Sequence, residues 1–261
     1  MIIENNQLKQ QIGIVEEPVT KMSTKFIWSY FKSQEETFPD LKTQDICRLM
    51  FLSTYIDYST NELTVNGSPM LFKDINKVME LDWNTYNRWI NKMIQHNYIE
   101  LKDNKVYINN SFFNKGNLVK AENIKAVRLF IDMTRDLYHR LYPKEHYKLG
   151  LLLQLVPYIN PNFNCLAKNQ TTTVRCELQM IKLSELAIEL GYSERHCQRL
   201  GNEILRTRLG GEKLAVGIAL NSLRPEDHIF MINTKLIFGG AVADYNLINE
   251  LFQLEVANDN N

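Results

Sequence analysis

Asn84, Thr85, Asn87, Arg88 and Asn91 gather short amides, a hydroxyl and a forked cation into one brief stretch. An asparagine amide can donate and accept at once against adenine, and an arginine fork can give two parallel bonds to guanine. The set therefore suits reading base edges in a duplex groove. Arg195, His196, Gln198, Arg199 and Asn202 form a second set of the same character. Lys92, Lys102, Lys105 and Lys115 stand near the first set as point cations, and these suit phosphate oxygens, which position a protein without reading sequence. For every one of these residues the plain alternative is ordinary solvation on a surface. Other chemistry finds little support. His96, His139, His146, His196 and His228 show no metal-ligand spacing with Cys or carboxylates. Cys47, Cys165, Cys176 and Cys197 are scattered without a C-x-x-C pair, as expected of reduced, inert thiols. Gly210-Gly211-Glu212-Lys213 lacks the spacer and the Ser/Thr of a phosphate-binding loop. The twelve tyrosines come without the His-hydrophobe-His motif of a nicking enzyme. No catalytic residue, metal or cofactor is expected, and the chain is not expected to be an enzyme.

The first set belongs to a helix. Asp82 suits an N-cap because its carboxylate can accept orphan backbone N–H groups. Tyr86, Ile90, Met93 and Ile94 then recur at helical spacing and leave the polar set on the opposite face. Trp83 and Trp89 read as lying on the outer side, as interface anchors or partial core. Asn97 fits the helix end, and Tyr98–Leu101 with Lys105–Ile108 pair around Asp103-Asn104. Upstream, Gln44–Tyr55 is expected to be a helix with Ile46, Leu49, Met50 and Leu52 inward. Asn66-Gly67 marks a turn after a short strand holding Leu63 and Val65, and Phe72–Val78 is the next helix. The order is that of a winged helix-turn-helix. Phe26, Ile27, Trp28, Tyr30 and Phe31 read as core or subunit interface.

The second set has a similar setting. Leu183–Leu190 is a short helix, Gly191 the turn, and Ser193 the N-cap of a helix expected to run from Ser193 to Leu209 with Cys197, Gly201 and Ile204 inward. Ala215–Leu223 and His228–Ile232 read as wing strands joined around Arg224-Pro225-Glu226-Asp227, and Tyr245–Leu254 as a terminal helix. Between the two units Leu118–Tyr142 reads as a long connecting helix, Leu149–Val156 as a second apolar helix ended by Pro157 and Pro161, and Asn160–Gln179 as a linker or insertion. The expected class is mainly α with small β-wings (α+β): an arm over 1–24, a first winged-helix domain over 25–117, a helical connector and linker over 118–165, and a second winged-helix domain over 166–261. Met79 aligns with Leu190, so that Asp82 meets Ser193 and Arg88 meets Arg199. The closing strings YINNSFFNKG and MINTKLIFGG align with Asn110 on Asn233 and Gly116 on Gly239. Such a spacing points to duplication of a whole domain, with a longer second wing.

The helix-turn-helix string ending in HNYI, and the closing YINNSFFNKGN, resemble the winged-helix domain of RepL-type plasmid replication proteins and related phage regulators of low-GC Gram-positive bacteria. Ser111 stands where that family commonly has Pro, and the resemblance covers about a third of the chain (Lys42 to Lys120). It implies a replication or regulatory role on double-stranded DNA. The doubled arrangement also looks like plasmid initiators built of two winged helices. With 30 Lys+Arg against 30 Asp+Glu the chain is no general polyanion binder, and specific reading would rest on local patches. No apolar run reaches the roughly 20 residues of a membrane span, and the start lacks the pattern of a secretory signal, so a cytoplasmic protein is expected. The expected partners are double-stranded DNA, a second copy in a homodimer, and a host or phage protein. A protein-interaction module that uses the same surfaces without DNA is the alternative.

Overall fold

The computed structural model describes residues 25–31, 38, 41–58, 60–117, 125–209, 211–219, 228–238, 248–250 and 252–254 of the 261-residue chain. Several sequence expectations lie outside those residues: the arm over 1–24, the Leu118–Ile124 part of the connecting helix, the turn at Arg224–Asp227, and Gly239-Gly240.

Strand β1 (Phe26–Phe31) leads into helix α1 (Thr43–Ser53). Ile46, Leu49, Met50, Phe51 and Leu52 of α1 are fully buried, and each such side chain contributes about 1.5–3 kcal/mol. The Ser53 and Thr54 hydroxyls fold back onto the Met50 and Phe51 carbonyls, and Arg135 reaches Thr54 from another element, Nε to Oγ1 at 2.9 Å and Nη2 to the carbonyl at 2.8 Å. That guanidinium satisfies the helix's last acceptors and lies 3.8 Å from the Tyr55 ring centre. A hairpin of β2 (Thr64–Val65) and β3 (Ser68–Pro69) turns through Asn66 and Gly67, both at positive φ as expected. A single 3₁₀ turn at Phe72–Asp74 precedes α2 (Ile75–Met79). Then come α3 (Trp83–Gln95), the hairpin β4 (Ile99–Lys102) and β5 (Lys105–Ile108), and β6 (Phe113–Asn114). Asp103 and Asn104 close that hairpin at φ 51° and 62°, the left-handed pair that a two-residue turn requires.

The next elements depart from expectation. Lys125–Phe130 is a strand, β7, and only Ile131–Arg140 is helical, as α4. Ile124, Val127 and Ile131 recur at helical spacing, but Val127 and Leu129 are both buried, which is the period-two alternation of a strand whose alternate side chains enter a core. β7 pairs antiparallel with all six residues of β1, and that ladder overrides local helix preference. After α5 (His146–Leu155) and a 3₁₀ turn at Val156–Tyr158, β8 (Ile159–Asn160) pairs with β9 (Cys165–Leu166). The 160–167 part of the Asn160–Gln179 stretch is therefore no linker: Asn160 and Asn164 are fully buried, with Cys165, Leu166 and Ala167 beside them. Their polarity is spent on local hydrogen bonds, such as Asn160 Oδ1 accepting from the backbones of Asn162 and Phe163. Helices α6 (Leu183–Glu189) and α7 (Cys197–Arg206) follow. A short hairpin of β10 (Arg208–Leu209) and β11 (Glu212–Lys213) precedes β12 (Ala215–Ala219), β13 (His228–Ile232) and β14 (Ile237–Phe238). α7 ends at Arg206, short of the expected Leu209, because the chain turns into β10.

Two four-stranded sheets run β14-β7-β1-β6 and β12-β13-β9-β8. One core spans both halves of the chain, from Ile27 through the α1 and α5 helices to Ile237. Gly150 of α5 lies so close to α1 that a Cβ there would stand 1.8 Å from the Thr43 carbonyl oxygen. A smaller cluster joins Val216, Met231 and Phe238 to Ile248 and Phe252 of the helical C-terminal residues.

Specific contacts recur along the chain. Ile56 bridges Leu63, and Ile159 pairs with Leu166, each 103 residues further on. Glu62 bridges Tyr107 as Cys165 pairs with Met231. Asn61 and Asn164, at φ 56° and 50°, each send Nδ2 to two carbonyls: Ile108 and Phe113 for the first, Ile232 and Ile237 for the second. Asn109 and Asn233 likewise donate to the Asn97 and Lys213 carbonyls while accepting from the backbones of Ser111 and Lys235. Asn109, then, and not Asn110, is the counterpart of Asn233, a one-residue correction to the sequence alignment. In the first sheet β6 sits on β1 as β14 sits on β7, and Trp28 lies opposite Arg128 at the centre of the arrangement. The Arg128 guanidinium is 5.1 Å from the Trp28 ring centre.

Candidate nucleic-acid interface

Helix α3 is held at both ends by its own sequence. Asp82 Oδ1 accepts the Thr85 N–H at 2.9 Å, and this bond with the Thr85 side chain holds the carboxyl below its usual range. At the other end Asn97 adopts φ 57°, with its N–H on the Ile94 carbonyl and the Tyr98 N–H on the Met93 carbonyl. Tyr86, Trp89, Ile90 and Met93 are buried. Tyr86 Oη donates to the Phe72 carbonyl at 3.1 Å and Trp89 Nε1 to the Asp45 carbonyl at 3.2 Å, which fixes the rotation of α3 about its axis. Trp89 is thus core and not outer surface, whereas Trp83, 66% exposed, is surface and not core. Counting from Tyr86 by three and four places Trp89 on the buried face, and the pattern was there to be read.

The outward face carries Asn84, Arg88 and Asn91, with Thr85 and Asn87 half-buried at its flank. Arg88 Nε lies 3.4 Å from the Asn84 carbonyl, so the fork rests along its own helix. The lysines differ from the arginines in being paired. Lys92 is 3.5 Å from Asp45, Lys102 pairs with Glu100 at 2.6 Å, and Lys105 with Glu62 at 3.1 Å. Hydrogen bonds to those carboxylates raise Lys102 and Lys105. Lys115 sits 5.1 Å from the Tyr58 ring centre and is lowered by partial burial.

In α7 the buried residues are Leu200, Gly201 and Ile204, and Cys197 is half-buried. Gly201 lets the helix approach α6, where a Cβ would meet Leu183 Cδ2 at 2.6 Å. Arg195, His196, Gln198, Arg199 and Asn202 are all exposed, and Arg206 extends their face by one turn. Ser193 does not cap the backbone with its hydroxyl as expected: Oγ lies 2.8 Å from His196 Nδ1, and a 3₁₀ turn at Glu194–His196 opens the helix. Gly191 makes the expected turn at φ 80°. Among the described residues the ion pairs do not involve Arg88, Arg195, Arg199 or Arg206, whose guanidiniums are therefore available to an outside acceptor. No group of three His, Cys, Asp or Glu among the described residues could hold a metal ion, and no helix there is long and apolar enough to cross a membrane.

The chain matches no protein-family model, no curated protein and no solved structure.

Proposed function

We propose that this is a sequence-specific double-stranded DNA-binding protein of a mobile element, a transcriptional regulator or replication initiator built from two winged helices. The observation carrying this reading is that α3 and α7 turn the same kind of face outward from the same frame. α3 has four buried residues on one side and α7 three, each with Arg and Asn on the other, next to a β-hairpin, β4–β5 or β12–β13. The recurring contacts of Asn61 and Asn164 support taking β1 through β6 as the first unit and β7 through β14 as the second. This grouping draws α4, α5 and the 160–179 stretch into the second unit, in place of a connector. The first unit contains the stretch that resembles RepL-type replication proteins, which favours replication over transcription.

In this reading a recognition helix enters the major groove, and Asn84, Thr85, Asn87, Arg88 and Asn91 or Arg195, His196, Gln198, Arg199 and Asn202 face base edges. Lys92, Lys102 and Lys105 exchange a carboxylate partner for phosphate oxygens. The protein acts by binding, without chemistry on its partner. The surfaces through which a second copy would complete a two-fold pair, β1 and α1, are occupied within the chain by β7 and α5, so one chain presents both helices.

Selection of duplexes from a random pool by the full chain, followed by gel shift, tests this. The expected result is an enriched sequence whose binding falls by roughly 1–3 kcal/mol in Arg88→Ala and in Arg199→Ala. No enrichment at moderate salt, with both variants indistinguishable from the parent, would sink it. Trp83 supports the rival reading, a protein-docking surface, since a large exposed indole is a common interface anchor. That reading expects Trp83→Ala to abolish capture of a protein partner while the chain enriches no duplex.

A further inference from the structure

The two outward faces can be compared position by position. Trp89, Ile90 and Met93, buried in α3, correspond to Leu200, Gly201 and Ile204, buried in α7, each 111 residues later. The turns before the helices agree at that same offset, with Glu80 at φ 52° and Gly191 at φ 80°. Half-buried Lys92 and Ile94 likewise fall on half-buried Glu203 and Leu205. This register places exposed Arg88 on exposed Arg199 and exposed Asn91 on exposed Asn202, the same residue types in both helices. It places Asn84 on Arg195, both exposed, with different side chains, and half-buried Thr85 and Asn87 on exposed His196 and Gln198. The central sheet adds direction: β1 and β7 run antiparallel about Trp28 and Arg128, with β6 and β14 as matching outer strands, so the frames are related by an approximate two-fold axis.

Resting on the DNA-binding reading above, we propose that the target is an imperfect inverted repeat. Arg88 and Arg199 read a G·C pair common to the two halves, and Asn91 and Asn202 read a common A·T pair. Of these three aligned positions the halves diverge at one, which Asn84 reads as A·T and Arg195 as G·C. Two frames of one shape deliver the corresponding Cα atoms to corresponding places in the groove, so the base chosen there follows from the side chain alone. A guanidinium fork matches the O6 and N7 acceptors of guanine, while an amide matches the N6 donor and N7 acceptor of adenine. Asn84 lies in the first turn of α3 and Arg195 in the 3₁₀ turn that opens α7, the end of a recognition helix nearest the base edges, so a difference there is read and not hidden.

The test is a pair of reciprocal specificity changes in the full chain, Asn84→Arg and Arg195→Asn, each taken through duplex selection and competition binding beside the parent. The parent is expected to enrich two inverted halves that share the Arg88/Arg199 and Asn91/Asn202 pairs and differ at the Asn84/Arg195 position. Asn84→Arg should move that position of the first half from A·T to G·C by about tenfold in relative affinity, leaving the shared pairs unchanged and making these three positions symmetric. Arg195→Asn should make the opposite change in the second half. Enrichment of a site without inverted shared pairs, or one whose divergent base neither variant moves, overturns this partition while DNA binding stands. Failure of the parent to enrich any duplex overturns both.

Discussion

Asn61 and Asn164 are single residues on which whole segments turn. Each combines a left-handed backbone, which costs a non-glycine residue about 1–2 kcal/mol unless its side chain repays it, with an amide that donates to two main-chain carbonyls. Asn164 is fully buried, and its bond to Ile232 is 2.7 Å long. Asn164→Ala leaves two carbonyls without that donor and is expected to cost about 2–4 kcal/mol, read as a lower urea midpoint at unchanged slope. Asn61→Ala, at a half-buried position with longer bonds, should cost less. Neither asparagine stood out in the sequence, because an Asn in a polar stretch has the same signature whether it faces water or closes a turn inside. Asp82 was legible for the opposite reason: a cap acts on its own helix within three residues. His146 shows what the interior does to a titratable group. Its Nε2 lies 3.2 Å from the Tyr138 carbonyl and its ring stacks on Tyr138 at 4.2 Å. Burial, reinforced by Arg48, holds its pKa below the ordinary value of about 6.5. The unfolded chain therefore takes up the proton first. Stability is full above about pH 6.5, declines as the pH falls below it, and levels off only when the folded His146 protonates. Urea midpoints measured from about pH 8 to pH 5 should show that decline in the parent and a flatter profile in His146→Phe.

At the scale of elements, α1 and α5 approach each other closely. Gly150 meets the Thr43 carbonyl, a backbone atom that cannot swing away, whereas Gly201 meets only the end of the Leu183 side chain. Gly150→Ala should therefore destabilise by about 1–3 kcal/mol or more, and Gly201→Ala by less, measured by thermal unfolding of the two variants side by side. The helices of the first half were readable because their apolar stripes face a core that local sequence already implies. β7 was not, since its apolar residues satisfy both a helical and an alternating count, and the decision rests with β1, almost a hundred residues upstream in sequence. The face of α3 was legible, and a step of three from Tyr86 puts Trp89 on its buried side, although the reading set it outside as an interface anchor or partial core. Only its partner, the Asp45 carbonyl of α1, is announced by no local pattern. In the second half, Gly191 and the buried side of α7 were legible, but the 3₁₀ opening and early end of that helix were not, because a serine–histidine contact and a short hairpin compete with it.

For the molecule as a whole, its zero net charge assigns any polyanion affinity to patches. On the proposed reading the three paired lysines have measurable weight: each of Lys92→Ala, Lys102→Ala and Lys105→Ala should reduce the slope of log affinity against log salt by about 1 without changing the preferred sequence. The two halves also differ on one flank. Val216, Met231 and Phe238 are covered by Ile248 and Phe252, while the matching positions of the first half, Glu100, Tyr107 and Asn114, are charged or polar. On the proposed tandem reading the halves share a skeleton and have unlike surroundings. The pairing of β1 with β7 and of α1 with α5 has a further consequence, which concerns numbers of molecules more than shape. Proteins that assemble a two-fold reader from separate copies must first meet, and the occupancy of their site then rises with the square of a dilute concentration. On the proposed reading the second half is tethered to the first at an effective concentration fixed by the chain itself. Occupancy would rise in simple proportion to the number of chains, so that an element present in few copies per cell would have a response graded to its own dosage, with no threshold to cross.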